Sequence, residues 1–488
     1  MRRDDCAGGD RPQPAASTPH PFMRGCLAAA LGAAALTPAV AAASGPTTAL
    51  GSVGRTQLQQ QTGDAVTTVC GQLAGRSSLN STQRDLFDRC GSMVGNANAL
   101  EGIDAGPLAK SLGLDADNLA AAVQTVAGEE VGSTQTITTD FASTQLNTAI
   151  SRLAAVRSGV RFGLTGLDTG TTEFLANLQP GLQDTTGGAA GADLIGKWGF
   201  FANASYGFGD SDTTARQDGF DYDRWGFSAG ADYRFTDNFI VGGLVNYATV
   251  DSNFDTSRAV PGGGIEADTW GLGLYATYYD DNFYVDGLIG YSQTDYDIDR
   301  RILLPLGDSP GAAAVPASRA AKGSTDSNDW TASLGAGMDF SQGNLTYGPY
   351  ARLNYIQVSI DGYSEHGADG LNLTVDDQDW TSLTSVLGGQ LSASLSQSWG
   401  VLVPQARVGW VHEFDNDATT FTAFYTADPL RNPLISVTDN PDRDYAEVGL
   451  GVSAVLPNGI QAYFDYQTLV GHSYINDNLF SIGLRTEF

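Results

Sequence analysis

Side chains able to do covalent or metal chemistry are sparse in this chain. Phe208-Gly209-Asp210-Ser211 has the order of a hydrolase nucleophile block, but no Asp-x-x-His partner follows it. A serine without a positioned base is a weak nucleophile, so Ser211 is not expected to react. Apart from His20, the histidines are His366, His412 and His472, far apart in sequence. No His-Glu-x-x-His helix and no glycine loop preceding a helix is present, which leaves little for zinc or nucleotide-phosphate chemistry. The acidic clusters Asp376 to Asp379 and Asp439 to Asp444 lack the regular spacing of a calcium loop and read as solvated loop charge. No catalytic residue, metal site or cofactor is expected, and the chain does not read as an enzyme.

The elements that would hold such residues begin with composition. The chain has 488 residues, 26 Lys+Arg against 55 Asp+Glu and a formal net charge of −29. Neutralising phosphates needs clustered Lys and Arg, so nucleic acid is excluded as a partner. Charged residues make up only 17% of the chain, against roughly 25% in ordinary soluble domains. The 60 glycines are well above the usual share of about 7% and point to many strands and turns.

The N-terminus sets the compartment. Residues 1–22 are polar and Pro-rich, a disordered stretch or a start placed too early, and Met23 follows them. From Met23 the chain shows one basic residue, an Ala/Leu run and the small triplet Ala39-Val40-Ala41, the pattern of a secretory signal peptide over 23–43. Its removal takes Cys6 and Cys26 away and leaves Cys70 and Cys90 as an even pair. In an oxidising compartment that pair is expected to form one disulfide. No later run is apolar enough for a spanning helix, so any membrane crossing must use strands.

Residues 44–160 show helical spacing. Leu86, Phe87, Cys90, Met93 and Val94 recur at three- and four-residue intervals after an N-cap at Ser81-Thr82. Leu119, Ala122, Val123 and Val126 do the same over 115–127, and Phe141, Leu146, Ile150 and Leu153 over 136–156. A small helical bundle is expected, followed by a Gly/Thr-rich linker over 161–195.

From residue 197 the period becomes two and stays so to the end. Twelve runs can be marked, longer than the usual strand of about 5 to 6 residues. Trp225, Phe227, Ala229, Ala231, Tyr233 and Phe235 alternate with Arg224, Gly226, Ser228, Gly230, Asp232 and Arg234. The connections alternate too. Short turns such as Thr236-Asp237-Asn238 and Asp280-Asp281-Asn282 take turns with long polar loops at 209–221, 252–264, 298–327, 358–378, 415–442 and 470–477. Tight turns at one end and long loops at the other are what a membrane barrel requires. The fold expected is all-β: a 12-stranded antiparallel transmembrane β-barrel over 196–488, preceded by a mostly α-helical region with one disulfide.

Gly196-Lys197-Trp198-Gly199-Phe200 running into Tyr206-Gly207, the strand count, and the terminal alternation of Phe480, Ile482, Leu484 and Phe488 together resemble the translocator barrel of autotransporters, type V secretion. Thr486 departs from the family's usual apolar residue. The resemblance covers about 190–488 and implies a chain that translocates or displays its short N-terminal region at the surface of a Gram-negative bacterium. It further implies a linker, 161–195, crossing or plugging the pore, an outer-membrane location with loops extracellular, lipid as surroundings, insertion by the barrel assembly machinery with periplasmic chaperones, and a monomer. The residues Phe480, Ile482, Leu484 and Phe488 would carry the assembly signal. Asp232, Arg234, Asp286, Arg352, Arg407, Glu447, Asp465 and Arg485 are expected to face the lumen, where mixed charge solvates a polar segment. The competing functions are an open porin-like channel and a surface hydrolase. For the hydrolase, His412 falls outward beside Trp410 and Phe414, where an interfacial histidine is the simpler reading.

Overall fold

The computed structural model describes residues 49–102, 110–128, 130–135, 197–255, 262–280, 282–456 and 460–487, together with Thr138, Thr139, Ala142, Leu146, Ile150 and Leu153. The signal segment 23–43, residues 1–22, the linker 161–195 and the terminal Phe488 lie outside the described residues.

Four helices open the described chain: α1 (Ala49–Val53), α2 (Gln57–Ala74), α3 (Ser81–Leu100) and α4 (Ala116–Gln124). Two of them start with reciprocal capping boxes. Thr56 and Gln59 close α2, and Asn80 and Gln83 close α3, so the α3 cap is Asn80 and not the expected Ser81-Thr82. An amide oxygen accepts from the third helical N–H as well as a hydroxyl does, and Gln83 reaches back to the Asn80 N–H. Leu86, Cys90 and Met93 of α3 and Leu119 and Val123 of α4 are buried, as their spacing requires. Cys70 of α2 and Cys90 of α3 are joined by a disulfide with Cα atoms 5.8 Å apart. Replacing both by serine is expected to destabilise the helical region by about 2–4 kcal/mol through the freed loop. Thermal melting of the helical signal measures this, and an unchanged midpoint would show that packing alone holds α2 to α3.

The remaining chain forms β1 (Trp198–Ser211), β2 (Phe220–Thr236), β3 (Phe239–Phe254), β4 (Gly264–Asp280), β5 (Phe283–Leu304) and β6 (Ala317–Met338), continued by β7 (Phe340–Gln342). After these come β8 (Leu345–Ile360), two short loop strands β9 (Tyr363–Ser364) and β10 (Leu373–Val375), then β11 (Gln378–Ala393), continued by β12 (Leu395–Gln397). The last are β13 (Gly400–Glu413), the loop strands β14 (Thr420–Tyr425) and β15 (Leu434–Val437), and β16 (Asp444–Val455), β17 (Gln461–Val470) and β18 (Ile475–Glu487). Antiparallel neighbours run in chain order, β8 pairs β11, and β18 pairs β1, so the sheet closes on itself as a 12-stranded barrel. Closure leaves no unpaired edge, the condition for strands in lipid. The loop strands form a separate four-stranded sheet, β15-β14-β10-β9, at the long-loop end.

Much of what reads as loop in the sequence is strand. β5 and β6 pair from Phe283↔Met338 to Leu304↔Ala317, taking in most of 298–327. The reason is a change of face. Between Trp270 and Tyr278 the apolar residues of β4 point outward, with Leu272 62% and Leu274 60% exposed. Above Trp270 the pattern reverses: Ile265 and Ala267 are buried inside while Glu266 and Asp268 point out. β2 reverses at Trp225, with Phe220 and Tyr222 inside, and β5 above Tyr291, with Tyr296, Ile298 and Ile302 inside. Below this level the barrel is apolar outside, as lipid demands; above it the barrel is apolar inside, like a soluble protein.

The helices fill that apolar mouth. Leu50, Leu86, Met93 and Leu119 belong to one continuous core with Ile298, Ile302, Val358, Leu371 and Phe421. Helix α3 packs on a short 3-10 turn at Asp369–Leu371, α2 on β15, and α4 on the end of β5. The approach of the turn to α3 is close enough that a Cβ at Gly370 would lie 2.4 Å from the Leu86 nitrogen, so only glycine fits there.

Candidate translocation pore and its cap

Aromatic residues mark the two edges of the lipid-facing band. Near the long-loop end, Tyr206 stacks beside Trp225, Tyr247 beside Trp270 and Tyr291 beside Trp330, with ring centroids 4.6, 4.6 and 5.1 Å apart. Each tyrosine hydroxyl donates to a carboxylate or amide two residues before that tryptophan: Tyr206 to Asp223 at 2.5 Å, Tyr247 to Asp268 at 2.7 Å and Tyr291 to Asn328 at 2.5 Å. Tyr466 and Asn478 repeat the bond at 2.7 Å beside Phe480. An amphipathic ring with its hydroxyl in the polar layer is the natural occupant of a membrane interface. The opposite edge carries Trp198, Tyr233, Phe235, Tyr278 and Phe283.

Inside, the wall is charged and paired. Arg352 donates to both Glu447 oxygens at 2.9 and 3.1 Å, and Arg407 to both Asp465 oxygens at 2.9 and 2.6 Å. Arg485 approaches Asp232 at 3.9 Å, Arg234 donates to the Tyr279 hydroxyl at 2.7 Å, and Asp286 is buried in the wall. These side chains lie on the face of the sheet opposite the exposed apolar band. Bidentate guanidinium–carboxylate pairs hold such charges in fixed geometry. Glycines make room for rings on this face: a Cβ at Gly242, Gly337, Gly388 or Gly483 would fall 2.3 to 2.4 Å from Tyr275, Tyr284, Tyr350 or Tyr463. A cavity of about 210 Å³ lies under the mouth, bounded by Leu146 and Gln135 on one side and Arg352, Val386, Val411 and Glu447 on the other. Leu146 thus faces the barrel wall, and Thr138 contacts the Tyr296 hydroxyl at 2.6 Å.

The residues of possible chemistry are held in other roles. Ser211 ends β1 and lines the mouth, while Asp210 accepts from Asn476 at 3.0 Å. His412 lies between Trp410 and Phe414, its Nδ1 2.8 Å from Asp444. A Gly-x-Ser-x-Gly order does occur, at Gly226-Phe227-Ser228-Ala229-Gly230, but it runs through the middle of β2 with Ser228 bonded to Asn203. A nucleophile elbow requires a strand-to-helix turn, so this is barrel wall. Among the described residues no group of His, Cys, Asp or Glu could hold a metal. Asp376 pairs with Arg431, and Asp442 with His472.

Two junctions tie the cap to the loops, and neither is evident from sequence. Arg319 of β6 donates to Asp85 of α3 at 2.5 and 2.9 Å, and Asp85 also accepts the Gly370 N–H at 3.1 Å. Burial pushes the Asp85 carboxyl up, but Arg319 and the Gly370 N–H hold it below its ordinary value. Arg300 of β5 is 1% exposed and donates to Glu365 of the β9–β10 loop at 2.8 and 2.6 Å. It also donates to the Thr125 and Leu371 carbonyls, each at 3.0 Å. Arg224 and Asp477 make a third buried pair, at 2.7 and 2.8 Å, that fastens β2 to β18 across β1.

The chain therefore enters β1 at the short-turn end, where Trp198 faces Tyr233, while its helices sit at the long-loop end. The family description that matches this chain is the autotransporter beta-domain, over residues 200–467, more than half of its length. The chain belongs to that family. It is an outer-membrane autotransporter barrel, the kind that exports a passenger region. A curated relative from Pseudomonas putida, described as an uncharacterized protein in the trpE-trpG intergenic region, is 31% identical over 134 residues. That stretch is 27% of this chain and spans only 22% of the relative's length. Among solved structures, the translocator domain of autotransporter NalP from Neisseria meningitidis aligns at 15% identity and a TM-score of 0.46, over 65% of this chain and 95% of that one. The beta domain of the Bordetella autotransporter Brka aligns at 20% identity and a TM-score of 0.42, over 60% and 100%.

Three of the positions expected to carry the assembly signal, Phe480, Ile482 and Leu484, sit on β18. Ile482 and Leu484 point outward, 57% and 62% exposed, Phe480 packs against Tyr466, and Phe488 lies outside the described residues. β18 closes the barrel against β1 through thirteen residue pairs, from Gly199↔Glu487 to Ser211↔Ile475.

Proposed function

We propose that residues 44–160 are the exported passenger of this autotransporter, and that they stay docked in the mouth as a permanent cap and are not released. The long loops are then extracellular and the short turns periplasmic. The chain acts as a display barrel and not as an enzyme, inserts as a monomer, and is assembled by the machinery that reads Phe480, Ile482, Leu484 and Phe488, with periplasmic chaperones.

One observation carries this reading: the inner face of the barrel above the aromatic edge is apolar, and the helices are what cover it. An apolar mouth exposed to water would be a large unfavourable surface, so these strands are built for an occupant. Burying it against the chain's own helices keeps the occupant at high effective concentration.

Intact cells supply the test. Arg76 lies exposed in the turn after α2, so Arg76→Cys offers a label site away from the disulfide. A membrane-impermeant maleimide is expected to label whole cells carrying Arg76→Cys, with the label staying in the cell pellet. Labelling that appears only after the outer membrane is broken would place the helices in the periplasm and end this reading; label found in the medium would end the permanent cap.

A further inference from the structure

Glu130 stands in the junction between cap and loops, where it shares one cation, Arg300, with Glu365. Arg300 has five N–H donors. Two go to Glu365 and one each to the Thr125 and Leu371 carbonyls, which engages four of the five, and the Oε2 of Glu130 receives none of them. Glu130 Oε2 is buried and has no hydrogen-bond partner. The other groups facing it are Asp218 from the β1–β2 loop, Glu365 and Arg300. Tyr363 and Tyr425, on the loop strands beside Arg300, are held protonated by burial. With Arg300 shared with Glu365, an ionised Glu130 is offset only by that shared cation and its own backbone N–H while Oε2 stays buried and unbonded, and a protonated one has no charge to offset.

We propose that Glu130 is a proton-operated latch: protonated, it lets residues 116–128 and 130–135 lie against the loops of the mouth, and ionised, it loosens them. The proposal rests on the reading of residues 44–160 as a docked cap. Burial raises the Glu130 carboxyl from 4.5 to about 7, with Arg300 and the residue's own N–H opposing and Asp218 and Glu365 adding to the rise. Because the docked value is raised, docking is strongest below the free value of 4.5, weakens as pH climbs from there to about 7, and is flat beyond. Asp85 works in the other sense. Its lowered value stabilises docking above the ordinary carboxylate range and is lost only in acid, so the latch is read between pH 5 and 8.

The measurement is amide hydrogen exchange of residues 116–135 in the purified full-length protein in detergent micelles, corrected for the intrinsic pH dependence of exchange. The opening constant should rise on the order of a hundredfold from pH 5 to pH 8 in the wild type. In Glu130→Gln, which keeps the shape and removes the charge, it should stay level across the range. A level wild-type profile overturns the latch, and so does a Glu130→Gln protein with the wild-type slope. Should Glu130→Gln not assemble, Glu130→Leu serves the same comparison, and the wild-type profile alone still decides against the idea if level. This readout uses purified protein, so it fails independently of whole-cell labelling.

Discussion

Replacing Arg300 by methionine is expected to undock the cap, with a loss of about 3–5 kcal/mol, the usual consequence of removing one partner from a buried ion pair. Methionine fills a similar volume but leaves Glu365, whose side chain is 1% exposed, buried beside a neutral group. It also strips donors from the Thr125 and Leu371 carbonyls, one at the end of α4 and one in the loop turn on which α3 packs. The neighbouring residue is the control. Arg301 faces outward with 44% of its side chain exposed and pairs with Asp299 at 3.0 Å. Exposed pairs contribute about 0–1 kcal/mol, so Arg301→Met should leave the cap in place. Protease sensitivity of the helices in intact folded barrels separates the two variants. Equal resistance of both would mean the Arg300 junction does not hold the cap.

Arg300 and Arg301 also show where sequence reading stops. Both lie in the stretch 298–327 that reads as a polar loop, and composition cannot rank them. The period of two in fact continues through Tyr296, Ile298, Arg300, Ile302 and Leu304, but the apolar set has moved to the inner face. Alternation read with one fixed rule, apolar toward lipid, loses the strand at that point. The barrel below was legible because lipid imposes a single rule on every strand. The disulfide was legible from cysteine parity. Docking of the helices was not, because an amphipathic helix records that it has an apolar face without recording what covers it. An acid or amide two residues before a tryptophan, at Asp223 and Trp225, Asp268 and Trp270, and Asn328 and Trp330, is the sequence signal that marks the level of the reversal. The net charge of −29 also becomes local. Above that level Asp223 faces Asp251, Asp251 faces Glu266 and Glu266 faces Asp297 across successive strands on the outer wall.

The reversal predicts opposite results for the same substitution on one face of one strand. Leu274 points outward midway between Trp270 and Tyr278, so Leu274→Arg puts a charge near the middle of the lipid band. The expected loss is about 2–4 kcal/mol at that depth, seen as less heat-modifiable folded barrel and a lower urea midpoint in lipid vesicles. Glu266 points outward from the same strand, eight residues nearer the loop end and above Trp270. Its cross-strand neighbours are Asp251 and Asp297, so Glu266→Arg exchanges a repulsion for two attractions. That variant should assemble at least as well as the wild type, with any gain fading at high salt. If the two arginines were equally harmful, lipid would have to reach Glu266 as well as Leu274. The apolar inner wall would then lie inside the membrane span, and a water-exposed mouth sealed by helices would lose its physical basis.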